Sequence, residues 1–113
     1  MESAQQELVI ITTVSDAEEA RSLARGLLDA RLAACVSCLP GARSFFRWKS
    51  EEITEEHEHV LLIKTHRSRL AQIEQFFAAC HPYECPEFLV IEADAISPDY
   101  RAWMHRELGL ESN

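Results

Sequence analysis

The chain has 113 residues, 47% of them hydrophobic, which suits one domain with its own core, residues 1–113. Nineteen acidic residues against 11 basic ones leave a formal net charge of −8, so nucleic-acid phosphates and anionic lipid are repelled. No apolar run approaches the ~20 residues of a membrane span, so neither a nucleic-acid nor a membrane partner is expected. The opening "MESAQQE" has no basic start and no apolar stretch; residues 1–6 read as a flexible N-terminus and the protein as cytoplasmic. Thiols stay reduced in that compartment, and Cys35, Cys38, Cys80 and Cys85 are not expected to form disulfides.

"ELVIITTV" (Glu7 to Val14) is β-branched and almost continuously apolar, which predicts a strand. Helical spacing follows in "SDAEEARSLARGLLDARLA", with Ser15 and Glu18 as a capping box and Ala17, Ala20, Leu23, Ala24, Leu27 and Leu28 on one face. Ala33 to Trp48 reads as a long strand broken at Pro40-Gly41, where a ladder N–H is lost and a bulge is expected. "KSEEITEEHE" turns the chain into a return strand that includes "HVLLIKT", His59 to Thr65.

A second helix carries Leu70, Ile73, Phe76, Phe77 and Cys80 at helical spacing. It ends at "CHPYECPE", because Pro82 cannot continue it and drives His81 toward an extended conformation. "EFLVIEA" forms the last strand, and Ser97, Pro98 and Gly109 bracket a short third helix bearing Tyr100, Trp103, Met104 and Leu108. The order β-α-β-β-α-β plus a C-terminal helix predicts an α+β, ferredoxin-like domain. Its helices cover one face of the sheet, yet "LVII", "VLLI" and "FLVI" lack the alternation of a strand with one wet face. Copies of the chain are the simplest cover for the second face, so a homo-oligomer is expected.

Three groups of residues offer metal chemistry. Cys35-x2-Cys38 with Cys80-x4-Cys85 loosely matches a zinc spacing, but two residues three apart in a strand face opposite sides. Small buried hydrophobes are the better reading of those cysteines. His57 and His59 share a strand face beside Glu56 and Glu58, but a solvated hairpin arm is the better reading of them. Cys80 and His81 offer a thiolate and an imidazole suited to copper or zinc; the plainer reading makes Cys80 the last core-facing residue and His81-Pro82 a terminator. No nucleophile-base pair with an orienting group, Gly-rich phosphate loop or nucleotide fingerprint is visible, so the sequence does not read as an enzyme.

The segments "RLAACV", "LPGARSFFRW", "EHVLLIKT", "HPYECPE" and "DYRAW" occur in this order, and the stretch from about Leu8 to about Arg106 that holds them resembles the CutA divalent-cation tolerance family. The resemblance implies a ferredoxin-like subunit in a compact homotrimer, its sheets packed around a threefold axis and its long second and third strands reaching a neighbour. It implies no obligatory cofactor and no enzymatic activity. It also implies copper or another divalent metal ion at Cys80 and His81, with Thr12 standing where some members have a further cysteine. A hydroxyl is a poor ligand for a soft ion, so any binding should be weak. Ser50 stands where the hairpin usually has glycine, implying a different turn. Trp48, Lys64, Tyr83 and Glu87 match positions of an inter-subunit cleft. Two functions follow from the resemblance: divalent-metal tolerance or homeostasis, or a signalling-like regulatory or scaffold module that takes a small ligand or a protein partner at those clefts.

Overall fold

The computed structural model describes residues 1–110. Strand β1 (Glu2–Ser3) precedes β2 (Glu7–Val14), helix α1 (Ala17–Asp29), β3 (Cys35–Phe46) and β4 (Thr54–His66). A single 3-10 turn (Arg67–Arg69) leads into α2 (Leu70–Cys80), then β5 (Leu89–Glu92), β6 (Ala95–Ile96) and α3 (Pro98–Glu107). Four strands make one antiparallel sheet in the order β3-β4-β2-β5, the ferredoxin-like topology expected from the element order.

Helix α1 starts one residue later than the capping box predicts. Asp16, in an extended conformation, is the cap, and its Oδ1 accepts the Glu19 N–H at 2.8 Å. The Ser15 N–H donates to Glu19 Oε1 at 3.0 Å, so Glu19 takes the part expected of Glu18 while Asp16 replaces Ser15 as the cap. A carboxylate is a stronger acceptor than a hydroxyl and also suits the positive end of the helix, which favours Asp16 over Ser15. Ala20, Leu23 and Leu27 are buried as expected, whereas Ala17 and Leu28 are exposed. Adjacent residues on a helix diverge by about 100°, so Leu27 and Leu28 cannot both face the core centre. Leu32, brought back by a left-handed turn at Arg31 (φ 58°), fills the space instead.

The break at Pro40-Gly41 is a true irregularity: the β3–β4 register shifts between Leu39 and Ala42, and Gly41 takes φ 83°. There the backbone enters a region that glycine tolerates best. Beyond it the hairpin runs on as a two-stranded arm to Phe46 and Thr54, and the chain extends over 52 × 26 × 23 Å.

The main core lies between the sheet and helices α1 and α2: Ile10, Val14, Leu23, Leu27, Leu61, Ile63, Ile73 and Phe77 are buried together. A smaller cluster of Ala4, Ala34, Ile96, Met104 and Leu108 forms where α3 packs near the start of β2. Residues 1–6, expected to be a flexible lead-in, are tied into this second cluster. Glu2 and Ser3 pair with Ile96 and Ala95, and Ala4 is fully buried, its N–H on the Asp94 carbonyl. The rest of the second sheet face is less well covered: Leu89 and Ile91 are 56% and 50% exposed.

Candidate functional site

At the exit of α2, Cys80 ends the helix and His81 turns extended (φ −74°, ψ 135°), as Pro82 demands. The His81 ring is then held from both sides. Its Nδ1 accepts the Tyr83 N–H at 3.1 Å, while Nε2 lies 3.1 Å from both Thr12 Oγ1 and the Thr13 carbonyl. A carbonyl can only accept, so Nε2 carries the proton and the lone pair sits on Nδ1. Burial lowers the His81 pKa, outweighing the Thr13 carbonyl and the Glu19 charge, which act the other way. The imidazole is therefore neutral and fully engaged.

Tyr83, two residues on, donates its hydroxyl to Glu58 Oε2 at 2.7 Å, and its pKa is raised well above the usual phenol value by burial and by that bond. Together with Trp48, Phe45, Phe46 and Glu87 it lines an open groove of about 750 Å³. Glu56, Glu58, Glu84 and Glu87 give this groove an acidic lining, and the Glu87 pKa is raised by desolvation and by the Glu58 charge. Lys49 bridges to Glu84 at 3.2 Å and sits 5.4 Å from the Trp48 ring centre.

The sequence-derived site residues fall into separate places. Thr12 and His81 meet directly, and Trp48, Tyr83 and Glu87 share the groove. Cys80 is exposed and borders a different hollow, between α1 and α2, beside Glu18, Glu19 and Ser22. Lys64 is elsewhere again: its Nζ bonds Ser37 Oγ at 2.5 Å and lies 3.9 Å from Cys35 Sγ. Cys35 registers with Lys64 and Cys38 with Leu61, which puts the two thiols on opposite faces as strand alternation requires. His57 is exposed on the arm opposite Arg43, and His59 is half-buried opposite Val14.

One cluster escapes sequence reasoning. Glu7, 3% exposed at the head of β2, pairs in register with His66 at the end of β4, and α3 brings His105 and Arg101 onto the same carboxylate. His105 Nε2 is 3.1 Å and His66 Nε2 3.8 Å from Glu7 Oε2, while Arg101 Nη2 holds Oε1 at 2.9 Å. Burial pushes the Glu7 pKa up, but the His105 and Arg101 bonds and the Arg101 and His66 charges outweigh it and hold the pKa below the ordinary value. Three metal-capable ligand atoms thus lie within 4.8 Å of one another, the one such group among the described residues. The available signal was Glu7 itself, a carboxylate opening an apolar strand, since a buried charge requires partners.

Comparison with known proteins gives a consistent picture. Residues 8–107 match the family described as "CutA1 divalent ion tolerance protein". The chain is similar to the divalent-cation tolerance protein CutA of Thermus thermophilus, 35% identical over 91% of this chain and 99% of that one. It is also similar to the structure of CutA from Synechococcus elongatus, 37% identical with a TM-score of 0.89 over 94% and 93% of the two chains. A second structure of that cyanobacterial protein, complexed with a Bis-Tris molecule, aligns with a TM-score of 0.85 at 37% identity over 95% and 97%.

Proposed function

The chain belongs to the CutA1 divalent ion tolerance family, and from that premise we propose that it is a homotrimeric, non-enzymatic cytoplasmic protein of divalent-metal, and in particular copper, tolerance. The observation that carries this reading is the family match across residues 8–107, which takes in the sheet and all three helices. Copper is taken at His81 and Cys80, with Thr12 alongside, and the exposed Cys80 thiol must turn from the hollow between α1 and α2 to join the imidazole. The hydrogen bonds on both His81 nitrogens support weak rather than tight binding, because an incoming ion must displace either the Tyr83 N–H or the Thr13 carbonyl. No obligatory cofactor is required. The trimer reading is supported by the exposed Leu89 and Ile91 on the sheet and by Phe45, 64% exposed on the arm. Titration of the purified, reduced protein with copper and zinc, repeated on Cys80→Ala, tests the metal reading: a saturable isotherm that weakens in the variant is expected.

The groove at Trp48, Tyr83 and Glu87 favours a second reading, a regulatory or scaffold module that binds a small ligand or a protein partner at inter-subunit clefts. Its aromatic wall and carboxylates suit a small cationic or hydroxylated molecule, and Bis-Tris, with which the cyanobacterial relative forms a complex, is a molecule of that kind. Lys64, on the sheet rather than in this groove, joins it only across a subunit boundary. Thermal-shift screening discriminates the readings: a ligand that raises the melting point, with no metal isotherm, favours the second.

A further inference from the structure

We propose that Glu7, His66 and His105 form a second metal centre, a three-ligand site for a zinc-class divalent ion with its fourth position open to solvent. This inference is independent of the Cys80–His81 reading. Thr12 and Thr13 stand at the far end of β2, roughly 20 Å of extended chain from Glu7.

The geometry carries the case. A tetrahedral centre with bonds of about 2.0–2.2 Å sets its ligand atoms roughly 3.3–3.5 Å apart. The observed separations from Glu7 Oε2, 3.1 Å to His105 and 3.8 Å to His66, bracket that value, and all three ligand atoms lie within 4.8 Å. Three different elements supply the ligands, each fixed by regular structure: β2, β4 and α3. Arg101 occupies the other carboxylate oxygen and leaves Oε2 directed at the imidazoles, the kind of outer partner that orients a metal-binding carboxylate. A hollow of about 400 Å³ beside Ser3, Gln5 and Gln6 gives an entry path and room for a water ligand.

Two imidazoles and one carboxylate select zinc or copper over magnesium and calcium, which prefer oxygen-only shells. Loading requires the Nε2 proton to leave both imidazoles. His105 Nε2 now donates to Glu7 Oε2 at 3.1 Å and must pass its proton to Nδ1 or to solvent, and His66 changes tautomer. The His66 Nδ1 now accepts the Ser68 N–H at 3.1 Å, so its proton is on Nε2. To bind through Nε2 the ring moves that proton to Nδ1, which then donates to Ser68 Oγ, already 2.9 Å away, and the Ser68 amide swings aside. No net proton leaves the neutral His66 ring. The 3-10 turn at Arg67–Arg69 is where a local rearrangement should accompany binding.

The test is titration of the reduced protein with Zn2+ and with Co2+ as a spectroscopic stand-in, on the wild type, His105→Gln, His66→Gln and a Cys80→Ala/His81→Ala double variant. The expected result is one ion per chain, intense visible absorption of tetrahedral cobalt, at least a tenfold loss of affinity in each glutamine variant, and an unchanged isotherm for this site in the double variant. Wild-type NMR keeps the test decisive if a glutamine variant fails to fold: cobalt should shift and broaden the ring signals of His66 and His105 first. Zinc binding that survives both glutamine changes, absence of binding, or broadening confined to other histidines overturns the proposal. Loss of binding only in the Cys80/His81 variant overturns it too, while supporting the copper reading above.

Discussion

The hydroxyl of Thr12 and the Nε2 of His81 lie 3.1 Å apart, although 69 positions separate them along the chain. Strand β2 and the exit of α2 thus place position 12 directly against the imidazole. Thr12 is fully buried, so a side chain there cannot avoid the ring. Thr12→Cys is expected to tighten copper binding by roughly tenfold or more, about 1.4 kcal/mol, by adding a soft ligand beside His81. Thr12→Val keeps the shape, removes the hydrogen bond and should cost about 0.5–1.5 kcal/mol of stability without any gain in copper affinity. Competitive copper titration with a chromogenic chelator reads the first effect and urea melts the second. Equal copper affinity in Thr12→Cys and wild type would separate Thr12 from the metal.

His81 should make the fold sensitive to acid. Its folded pKa is depressed below the ordinary 6.5 by burial, and protonating Nδ1 also removes the acceptor of the Tyr83 N–H. The unfolded chain therefore binds this proton more readily than the folded one. The stability contribution is complete above the unfolded pKa and is lost as pH falls below about 6.5 and through the folded value. His81→Asn preserves a side-chain acceptor for an N–H two residues on, so the turn should survive. The expected outcome is a flatter stability profile between about pH 6.5 and pH 5 in the variant, read by urea midpoints at several pH values. An identical slope in both proteins would show that another group governs the acid limb.

Much of the fold was legible because its signals are local. Pro82 ends α2 wherever the rest of the chain lies, and Pro40-Gly41 disrupts a ladder by its own backbone chemistry. The continuous apolar strands announced a sheet, and their order gave its topology. The β1–β6 pair was illegible, since two-residue strands carry no periodicity. Asp16 displaced Ser15 as the cap because two adjacent residues both qualify and only the emerging backbone selects one. The site divides in the same way. Cys80 and His81 are neighbours in sequence, yet one borders a hollow between helices and the other faces β2, a divergence that spacing does not reveal. Glu7, His66 and His105 carry no motif at all, since they meet only after β2 and β4 pair and α3 returns across them.

The exposed sheet face predicts assembly. Leu89 and Ile91 are about half exposed in the single chain, and Leu62 in β4 is only partly buried where Leu61 and Ile63 beside it are fully covered. Light scattering coupled to size exclusion should report three times the chain mass at micromolar concentration. Leu62→Asp places a carboxylate on the face that assembly would cover, with an expected cost of several kcal/mol and loss of the assembled mass. A monomeric wild type, or a variant with unchanged mass and melting, would show that this face is wet.

Helix α1 comes unusually close to α2 at Gly26, and this sets the sign of one further substitution. Gly→Ala in a helix interior ordinarily stabilises by about 1 kcal/mol, because alanine has less backbone freedom to lose. At Gly26, however, an added Cβ would lie 2.6 Å from Phe76 Cζ and 3.3 Å from Cε2. Relaxed carbon contacts are roughly 3.5–4.0 Å, so the Phe76 ring would have to move. That ring packs against the main core, and displacing it should cost about 1–3 kcal/mol, cancelling or exceeding the helix gain. Gly26→Ala is therefore expected to leave stability unchanged or to lower it by up to about 2 kcal/mol. In a Phe76→Ala background the obstacle is gone, and the same change should recover the full gain of about 1 kcal/mol. A double-mutant cycle by urea melts isolates this coupling. If Gly26→Ala stabilises both backgrounds equally, the two helices do not approach as closely as Gly26 and Phe76 indicate.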